Sequence, residues 1–206
     1  MPLLVELTAA ELAFLKKYGL DASNVYDGRG QSQGERETAA KQGGFDVILG
    51  ARCTKPDAHR LKTRSHHCAQ CETSRLARQL RHNAPGYVYI AGSLQTRLLK
   101  IGIAADIEQR APTLQYETGY GSAPDWTFLF HAKVAKKGEV ETAALRSLNA
   151  FKVVRPYVKN GAQQEAAELL EAPFSTALAA VVDVIGGPSG CKDPWMSPSV
   201  LDYEWV

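Results

Sequence analysis

The sequence predicts an α+β fold, in which a small three-stranded antiparallel sheet is flanked by helices, behind a helical N-terminal region and a segment rich in cysteine and histidine. Two runs of aromatic and β-branched residues, GYVYIA from Gly86 and LLKIGI from Leu98, are separated by a short turn, which predicts a β-hairpin. A third such run, WTFLFHAKV from Trp126, precedes an amphipathic helix at 138–151. The predicted order is β-β-α-β-α-α-α, with the last two helices near 163–171 and 174–185.

These patterns divide the chain into four predicted parts. They are a helical region at 1–50, a basic Cys/His segment at 51–83, the α+β domain at 84–185 and a C-terminal strap at 186–206. The strap is rich in Pro, Gly and Ser but contains Trp195, Tyr203 and Trp205. Such aromatic side chains usually cover an apolar surface, so we expect an ordered segment.

The composition excludes several classes of protein. The 206 residues are 45% hydrophobic and 22% charged, which is typical of globular domains and argues against wholesale disorder. No run of 18 apolar residues is present, and the N-terminus lacks the basic region and cleavage site of a signal peptide. We therefore expect a cytoplasmic protein that does not contact a membrane. The net charge of +2 neither favours nor excludes nucleic acid.

The N-terminal region predicts two short helices. Thr8 with Glu11, and Ser32 with Glu35, each fit the capping box, in which a hydroxyl and a carboxylate reciprocally satisfy free backbone N–H groups. The sequence DGRG between them is typical of a turn. Such a helix pair serves either to dock nucleic acid or as a packing scaffold, and the lack of chemistry in these residues favours the scaffold.

Four residues of the second part have the spacing of a zinc site. The pattern is Cys53-x5-His59-x8-Cys68-x2-Cys71. Zinc prefers four tetrahedral ligands, typically thiolate sulfur and imidazole nitrogen. Because a segment this polar has little apolar surface to bury, a metal ion is the plausible organiser of its fold. We therefore predict a structural Zn²⁺ at these residues.

Other interpretations of this pattern remain open. Either His66 or His67 is an alternative fourth ligand in place of His59. The cysteines are alternatively simple thiols beside a solvated loop. Cys191 lies far along the chain, and we expect it to be an ordinary thiol.

Residues 51–83 carry eight Lys or Arg against two acidic residues, in a chain whose net charge is only +2. Lys and Arg neutralise phosphates and give affinity for nucleic acid without sequence choice. The alternative is a solvated basic surface. Combined with a zinc module, the charge favours nucleic-acid binding, with these candidate contacts: Arg60, Lys62, Arg64, Arg75 and Arg78.

The run GYVYI from Gly86, followed after a turn by KIG from Lys100, resembles the signature of the GIY-YIG nuclease superfamily, most closely its phage and bacterial branch. The resemblance implies that both elements are paired strands of a small sheet. It continues in order with Arg110, on the first helix after KIG, and with Glu141, on a helix after the third strand. Near its end, Glu168-Leu169-Leu170 takes the place of a Glu-aromatic pair.

The resemblance implies a metal-dependent DNA endonuclease. Glu141 would bind a catalytic Mg²⁺ or Mn²⁺, and Arg110 would contact phosphate oxygens through its guanidinium fork. Tyr89 would accept a proton from the attacking water. The sequence departs from the superfamily at its second tyrosine, which is Lys100 here. A cation beside Tyr89 favours the phenolate, so Lys100 is either the electrostatic partner of Tyr89 or a phosphate ligand.

Several assignments remain open at this site. Tyr87 lies two residues before Tyr89 and therefore on the same side of the strand, where it either supports Tyr89 or packs. Glu139 is an alternative to Glu141, and His131 is either a second acid–base group or structural. The main alternative function is a non-catalytic zinc-containing nucleic-acid-binding protein. One active site per chain cuts one strand, and no dimerisation element is evident, so the oligomeric state stays open.

Overall fold

A computed structural model describes residues 6–114, 119–187 and 190–205 of the chain. The chain divides into two compact units, residues 1–81 and 82–206. Helices and strands occur in both, so the predicted α+β class is confirmed, whereas the sheet arrangement differs from the prediction. Within the described residues, no helix combines the length and the apolar character needed to cross a membrane.

Among its described residues, the first unit contains three α-helices and three short strands, and α3 ends just past the boundary of the unit. In chain order they are α1 (Ala9–Lys17), β1 (Val25–Asp27), α2 (Gln33–Gln42), β2 (Val47–Leu49), β3 (Leu61–Thr63) and α3 (Thr73–Asn83). Both predicted capping boxes are present, with Glu11 N donating to Thr8 Oγ1 and Glu35 N donating to Ser32 Oγ. The first residues of α1 and α2 could therefore be predicted from the capping residues alone.

Besides the two predicted helices, residues 1–50 contain two short strands that the sequence analysis did not predict. Strands β1 and β2 pair in parallel, and β2 pairs antiparallel with β3. Each strand has only three residues, which is too short for an alternating pattern to be recognised. β2 is buried along its whole length, and the core around it consists of Leu15, Val25, Val47, Leu49, Leu61, Ala69 and Leu76.

The second unit is built on one larger sheet. Its elements are β4 (Gly86–Ser93), β5 (Leu98–Ala104), α4 (Ile107–Leu114), β6 (Thr127–Val134), α5 (Lys137–Ser147), β7 (Lys152–Lys159), β8 (Ala162–Leu170), α6 (Phe174–Ile185) and β9 (Lys192–Met196). The strand order is β7-β8-β5-β4-β6-β9, and every neighbouring pair is antiparallel. The predicted three strands are the centre of this sheet, which is extended on both sides.

The helix predicted near 163–171 is instead β8. Its sequence, AQQEAAELL, is rich in good helix formers, yet the segment pairs with β7 along its length and with β5 at Leu169 and Leu170. Both leucines are fully buried. Pairing with a strand on each side and the burial of its last residues override the local preference, because β-structure depends on neighbours that are distant in sequence.

The two faces of the sheet have different coverings. Val88, Ile90 and Ile101 belong to the core that packs against α5 and α6. Tyr89 alternates with these residues and lies in a second core with Leu114, Trp126 and Leu169. The side chain of Lys100, two residues before Gly102 on β5, shares this second face.

The C-terminal tail lies along the outer edge of the sheet. Strand β9 pairs with β6, placing Trp195 beside His131. Tyr203 is buried, and a Cβ built on Gly92 would lie 2.4 Å from its ring. The tail is thus ordered by strand pairing and by one buried aromatic ring.

Candidate active site and metal centre

Tyr89 and Arg110 form the centre of a polar cluster on the second face of the sheet. Tyr89 is fully buried on β4, in register with Gly102 of β5. Its phenol lies over Gly102, where an added Cβ would be 2.5 Å from Tyr89 Oη. Arg110 Nε donates a hydrogen bond to Tyr89 Oη at 3.0 Å. A glycine therefore provides the space in which the phenol meets the guanidinium.

Helix α4 positions Arg110. Asp106 caps the helix, as its Oδ1 accepts from the backbone N–H groups of Glu108 at 2.9 Å and Gln109 at 3.1 Å. The helix continues to Leu114, with Pro112 inside it. The guanidinium is steadied further by Thr113, whose Oγ1 accepts from Arg110 Nη1 at 2.9 Å.

Lys100 is a buried cation that pairs with Glu168 of β8. Its side chain is only 1% exposed, and its Nζ donates to Glu168 Oε2. Burial by itself lowers the pKa of Lys100, but the charges of Tyr89 and Glu168 outweigh it and hold the pKa above its ordinary value. Lys100 therefore stays charged at neutral pH, inside the cluster.

Tyr120 closes the cluster above this ion pair. Its Oη donates to Glu168 Oε2 at 3.3 Å, and Lys100 Nζ lies 4.1 Å from the centroid of its ring. Burial raises the pKa of Tyr120 to about 12, although the charge of Lys100 opposes the rise. Tyr120 therefore remains a neutral donor at neutral pH.

Glu141 of α5 belongs to the same electrostatic site. Its pKa is raised to about 7, first by burial and then by the negative charge of Glu168, against the opposing charges of Lys100 and Arg110. For Glu168 burial also raises the pKa, but the charge and hydrogen bond of Lys100 hold it below its ordinary value. Two carboxylates thus share one site, and one of them titrates near neutrality.

The structure distinguishes Glu141 from Glu139, the alternative candidate for the carboxylate of this site. Glu139 is exposed and lies 3.3 Å from Lys136 Nζ in an i,i+3 ion pair. Glu141 is half-buried, and the charges of Lys100, Arg110 and Glu168 all contribute to its pKa. Of the two carboxylates, it is Glu141 that lies with the rest of the cluster.

Tyr87 and His131 lie in an aromatic row on the same face. The ring of His131 stacks on Trp195 at 5.1 Å between centroids, and Tyr87 meets His131 edge-on at 5.6 Å. Burial lowers the pKa of His131, which keeps the imidazole neutral at pH 7. This row favours the packing interpretation for Tyr87 and the structural one for His131.

Glu168 and Tyr120 are members of the cluster to which the sequence analysis assigned no role. Glu168 was placed on a helix, where nothing would direct it toward Lys100. An interpretation of 162–170 as a strand beside LLKIGI would have suggested the contact. Tyr120 sits in a short 3₁₀ turn, Tyr120–Ser122, and no local pattern distinguishes it.

A separate cluster in the first unit joins the predicted zinc ligands. One ligand atom from each of Cys53, His59, Cys68 and Cys71 lies within 4.8 Å of the others. His59 Nδ1 is 3.3 Å from Cys71 Sγ, and the sulfurs of Cys53 and Cys71 are 3.9 Å apart. A tetrahedral zinc with Zn–S bonds of ~2.3 Å separates its ligands by ~3.5–3.8 Å, so the four residues fit this ion.

The alternative ligands His66 and His67 are engaged elsewhere. His66 Nε2 lies 3.0 Å from Arg36 Nη2, and His67 Nδ1 lies 3.5 Å from a carboxylate oxygen of Glu72. The predicted set with His59 is therefore the one that the fold assembles. His59 Nε2 faces Asp57 at 3.9 Å, the kind of carboxylate contact that orients metal-bound imidazoles.

Of the five candidate nucleic-acid contacts, Lys62 and Arg64 are buried in the first unit and Arg60 is half-buried. Arg60 binds Glu11 through Nε at 2.9 Å and Nη2 at 2.6 Å. Arg64 Nε donates to Phe45 O at 2.6 Å, and Lys62 is 7% exposed. These side chains hold the unit together, contrary to the surface role expected of them. The two that remain exposed are Arg75, which pairs with Glu72, and Arg78.

Residues 86–185 match the family model of the T5orf172 domain. The assignment to the GIY-YIG superfamily was therefore wrong, since the family found over these residues is a different one. The motifs on which that assignment rested are short and rich in strand-forming residues, which makes chance agreement easy. No curated protein and no solved structure matches the chain.

Proposed function

We propose that residues 82–206 are a metal-dependent endonuclease unit that hydrolyses phosphodiester bonds of DNA. One observation carries the proposal: a phenol, a guanidinium, a buried ammonium and two carboxylates from separate elements share one cluster. Phosphodiester hydrolysis needs a proton acceptor for water and positive charge for the phosphate oxygens. The cluster supplies both.

Tyr89 is the proposed proton acceptor and Arg110 the proposed phosphate ligand. Arg110 Nε donates to Tyr89 Oη, and Lys100 interacts electrostatically with the same side chain, so both cations act on the proposed proton acceptor. Arg110 still carries N–H groups on Nη2, with which it can donate to a non-bridging phosphate oxygen. Water that attacks the phosphorus passes its proton to Tyr89 Oη while the bond from phosphorus to the leaving sugar oxygen breaks, and that oxygen takes a proton from solvent.

Lys100 acts as a positioning residue. Its Nζ is engaged by the Glu168 carboxylate, which favours its role as the electrostatic partner of Tyr89 over that of a phosphate ligand. Its ion pair with Glu168 also fixes the orientation of that carboxylate. A buried lysine at position 100 is therefore compatible with the proposed hydrolysis.

Glu141 and Glu168 are the proposed ligands for a divalent cation. Burial raises the pKa of Glu141, whereas Lys100 holds the pKa of Glu168 below its ordinary value. A divalent cation between two such carboxylates would supply the compensating positive charge. Bound Mg²⁺ or Mn²⁺ would stabilise the negative charge that develops on the phosphate oxygens. The same charge would keep Glu141 ionised.

A structural Zn²⁺ at Cys53, His59, Cys68 and Cys71 completes the proposal. The donor set and its spacing support the ion, and Arg75 and Arg78 on the following helix offer exposed positive charge to DNA. None of the four cysteines forms a disulfide, which suits the reducing cytoplasm.

The proposal is tested by incubating the full chain with plasmid and single-stranded DNA in Mg²⁺ or Mn²⁺. We expect cutting by the parent and at least a 100-fold slower reaction for Glu141→Gln, since loss of a metal ligand removes several kcal/mol of transition-state stabilisation (~100-fold or more). Glu139→Gln, exposed on the same helix, is the matched control and should cut normally. Binding without cutting by the parent would overturn the enzyme and favour a non-catalytic DNA-binding protein.

A further inference from the structure

A cleft opens beside Arg110, between α4 and the hairpin formed by β7 and β8. Its volume is about 320 Å³, at the lower end of the ~300–1,000 Å³ range of small-molecule sites. The residues that matter for recognition are Arg110, Thr113, Tyr120, Tyr157, Lys159 and Asn160. The cleft therefore begins at the guanidinium proposed to bind the scissile phosphate and extends toward the hairpin tip.

The hairpin wall of the cleft is tied to the body of the unit. Ser122 Oγ donates to Pro156 O at 2.9 Å, joining the turn that carries Tyr120 to β7. The rings of Tyr120 and Tyr157 are 5.0 Å apart between centroids and tilted by 55°. Tyr157 Oη donates to Gln164 Oε1 at 3.2 Å on the paired strand. The Tyr157 ring is thus held at a fixed position in the cleft wall.

The chemistry of the wall fits a flat ring that carries phosphate. It offers the ring of Tyr157, the cations Arg110 and Lys159, and the amide-bearing Asn160, and no acidic side chain lines it within the described parts of the chain. Nucleobases stack on tyrosine, and lysine and arginine neutralise the flanking phosphates. The volume suits one nucleotide, and a base that stacks on protein must leave the duplex stack.

We propose that this cleft binds one unpaired DNA nucleotide adjacent to the scissile phosphate, with its base against Tyr157 and its outer phosphate near Lys159. The inference rests on the proposed endonuclease function and narrows its substrate to single-stranded or locally opened DNA. Arg110 then lies at the boundary between cleft and reaction centre, where it contacts the phosphate that the nucleotide presents.

The experiment measures binding by fluorescence anisotropy, with the full chain and no added Mg²⁺. The probes are a labelled thymidine dodecamer and a dodecamer of the same backbone without bases. The parent should bind the thymidine probe about 10-fold tighter, the order expected for one stacked base. Tyr157→Leu should reduce this ratio toward one, whereas Tyr157→Phe, which keeps the ring, should preserve it.

Lysine variants test the phosphate contact independently of the ring. Lys159→Ala should weaken binding of both probes equally and lower the salt dependence, because a phosphate contact does not read the base. Lys152→Ala, an exposed lysine at the far end of the same strand, is the matched control and should change neither. A thermal melt of each variant excludes loss of folding as the cause.

The possible results separate the two proposals. The proposed nucleotide site is overturned if the parent binds both probes equally. It is also overturned if the Tyr157→Leu variant keeps the preference for the thymidine probe. Ring-dependent binding without any cutting in Mg²⁺ or Mn²⁺ overturns the endonuclease and leaves the cleft as a nucleotide site. Failure to bind either probe overturns the nucleotide site in the cleft, whereas the cutting assay in Mg²⁺ or Mn²⁺ decides the endonuclease separately.

Discussion

The phenol oxygen of Tyr89 accepts a hydrogen bond from Arg110 Nε at 3.0 Å, although the two residues are 21 positions apart. This charge-assisted hydrogen bond holds the buried phenol and the guanidinium in a fixed relative orientation. Under the proposed function, the same contact positions the proton acceptor and the phosphate ligand together. This coupling predicts how substitutions at the two positions combine.

Replacing Arg110 by lysine should lower kcat about 100-fold, because an ammonium cannot contact both the phenol and the phosphate as the planar guanidinium does. Tyr89→Phe should have an effect of similar size. Steady-state kinetics on a labelled oligonucleotide measure both. If the residues act as a unit, the double variant should be little worse than either single variant, whereas multiplied losses would show that they act separately.

Gly102→Ala should impair the reaction by displacing Tyr89. The added Cβ would lie 2.5 Å from Tyr89 Oη and 2.6 Å from its Cζ, so the ring has to move. We expect about a 10-fold or larger loss of kcat with little change in KM, since small misplacements of reacting groups have large effects. Gly34→Ala is the control: Gly34 has no atom within 4 Å of an added Cβ. Unchanged kcat in Gly102→Ala would argue against a reacting phenol.

Glu141→Gln should stabilise the protein above neutral pH when no Mg²⁺ or Mn²⁺ is added. Burial, followed by the charge of Glu168, raises the pKa of Glu141 from 4.5 to about 7. Between these values the folded chain holds a proton that the unfolded chain has released, so stability falls as pH rises through this window. The Tm of Glu141→Gln should therefore exceed that of the parent by a few degrees at pH 8 and match it near pH 4.5.

The control for this pH effect is Glu139→Gln, whose exposed side chain should leave the Tm unchanged at both pH values. Differential scanning calorimetry measures the shifts. A Glu141→Gln variant that is less stable than the parent at pH 8 would show that the carboxylate makes favourable contacts in the folded state, contrary to the burial argument.

Metal analysis should find about one zinc per chain, and Cys71→Ser should lose it. The first unit should then unfold at lower temperature, because ligation contributes to its folding free energy. Cys191→Ser is the matched control: Cys191 belongs to the second unit and should leave the zinc content unchanged. A Cys71→Ser chain with full zinc content would contradict the predicted ligand set.

Local sequence patterns were sufficient for part of this structure. The hairpin of GYVYIA and LLKIGI, both capping boxes and the Cys/His cluster were predicted correctly. Each depends on residues close in the chain or on a fixed spacing of strong ligands. For the same reason, short motifs alone led to the wrong family, since such runs recur in unrelated sheets.

The sequence by itself determined the α+β class, the central hairpin and the four residues of the Cys/His cluster that could hold a metal ion. Only the tertiary structure decided that AQQEAAELL is a strand, that Glu168 meets Lys100 from 68 positions away, and that Arg60 is bound to Glu11 instead of facing solvent. Helix caps and hairpins depend on neighbours in the chain, whereas the burial of a charge depends on which distant partner the fold brings to it.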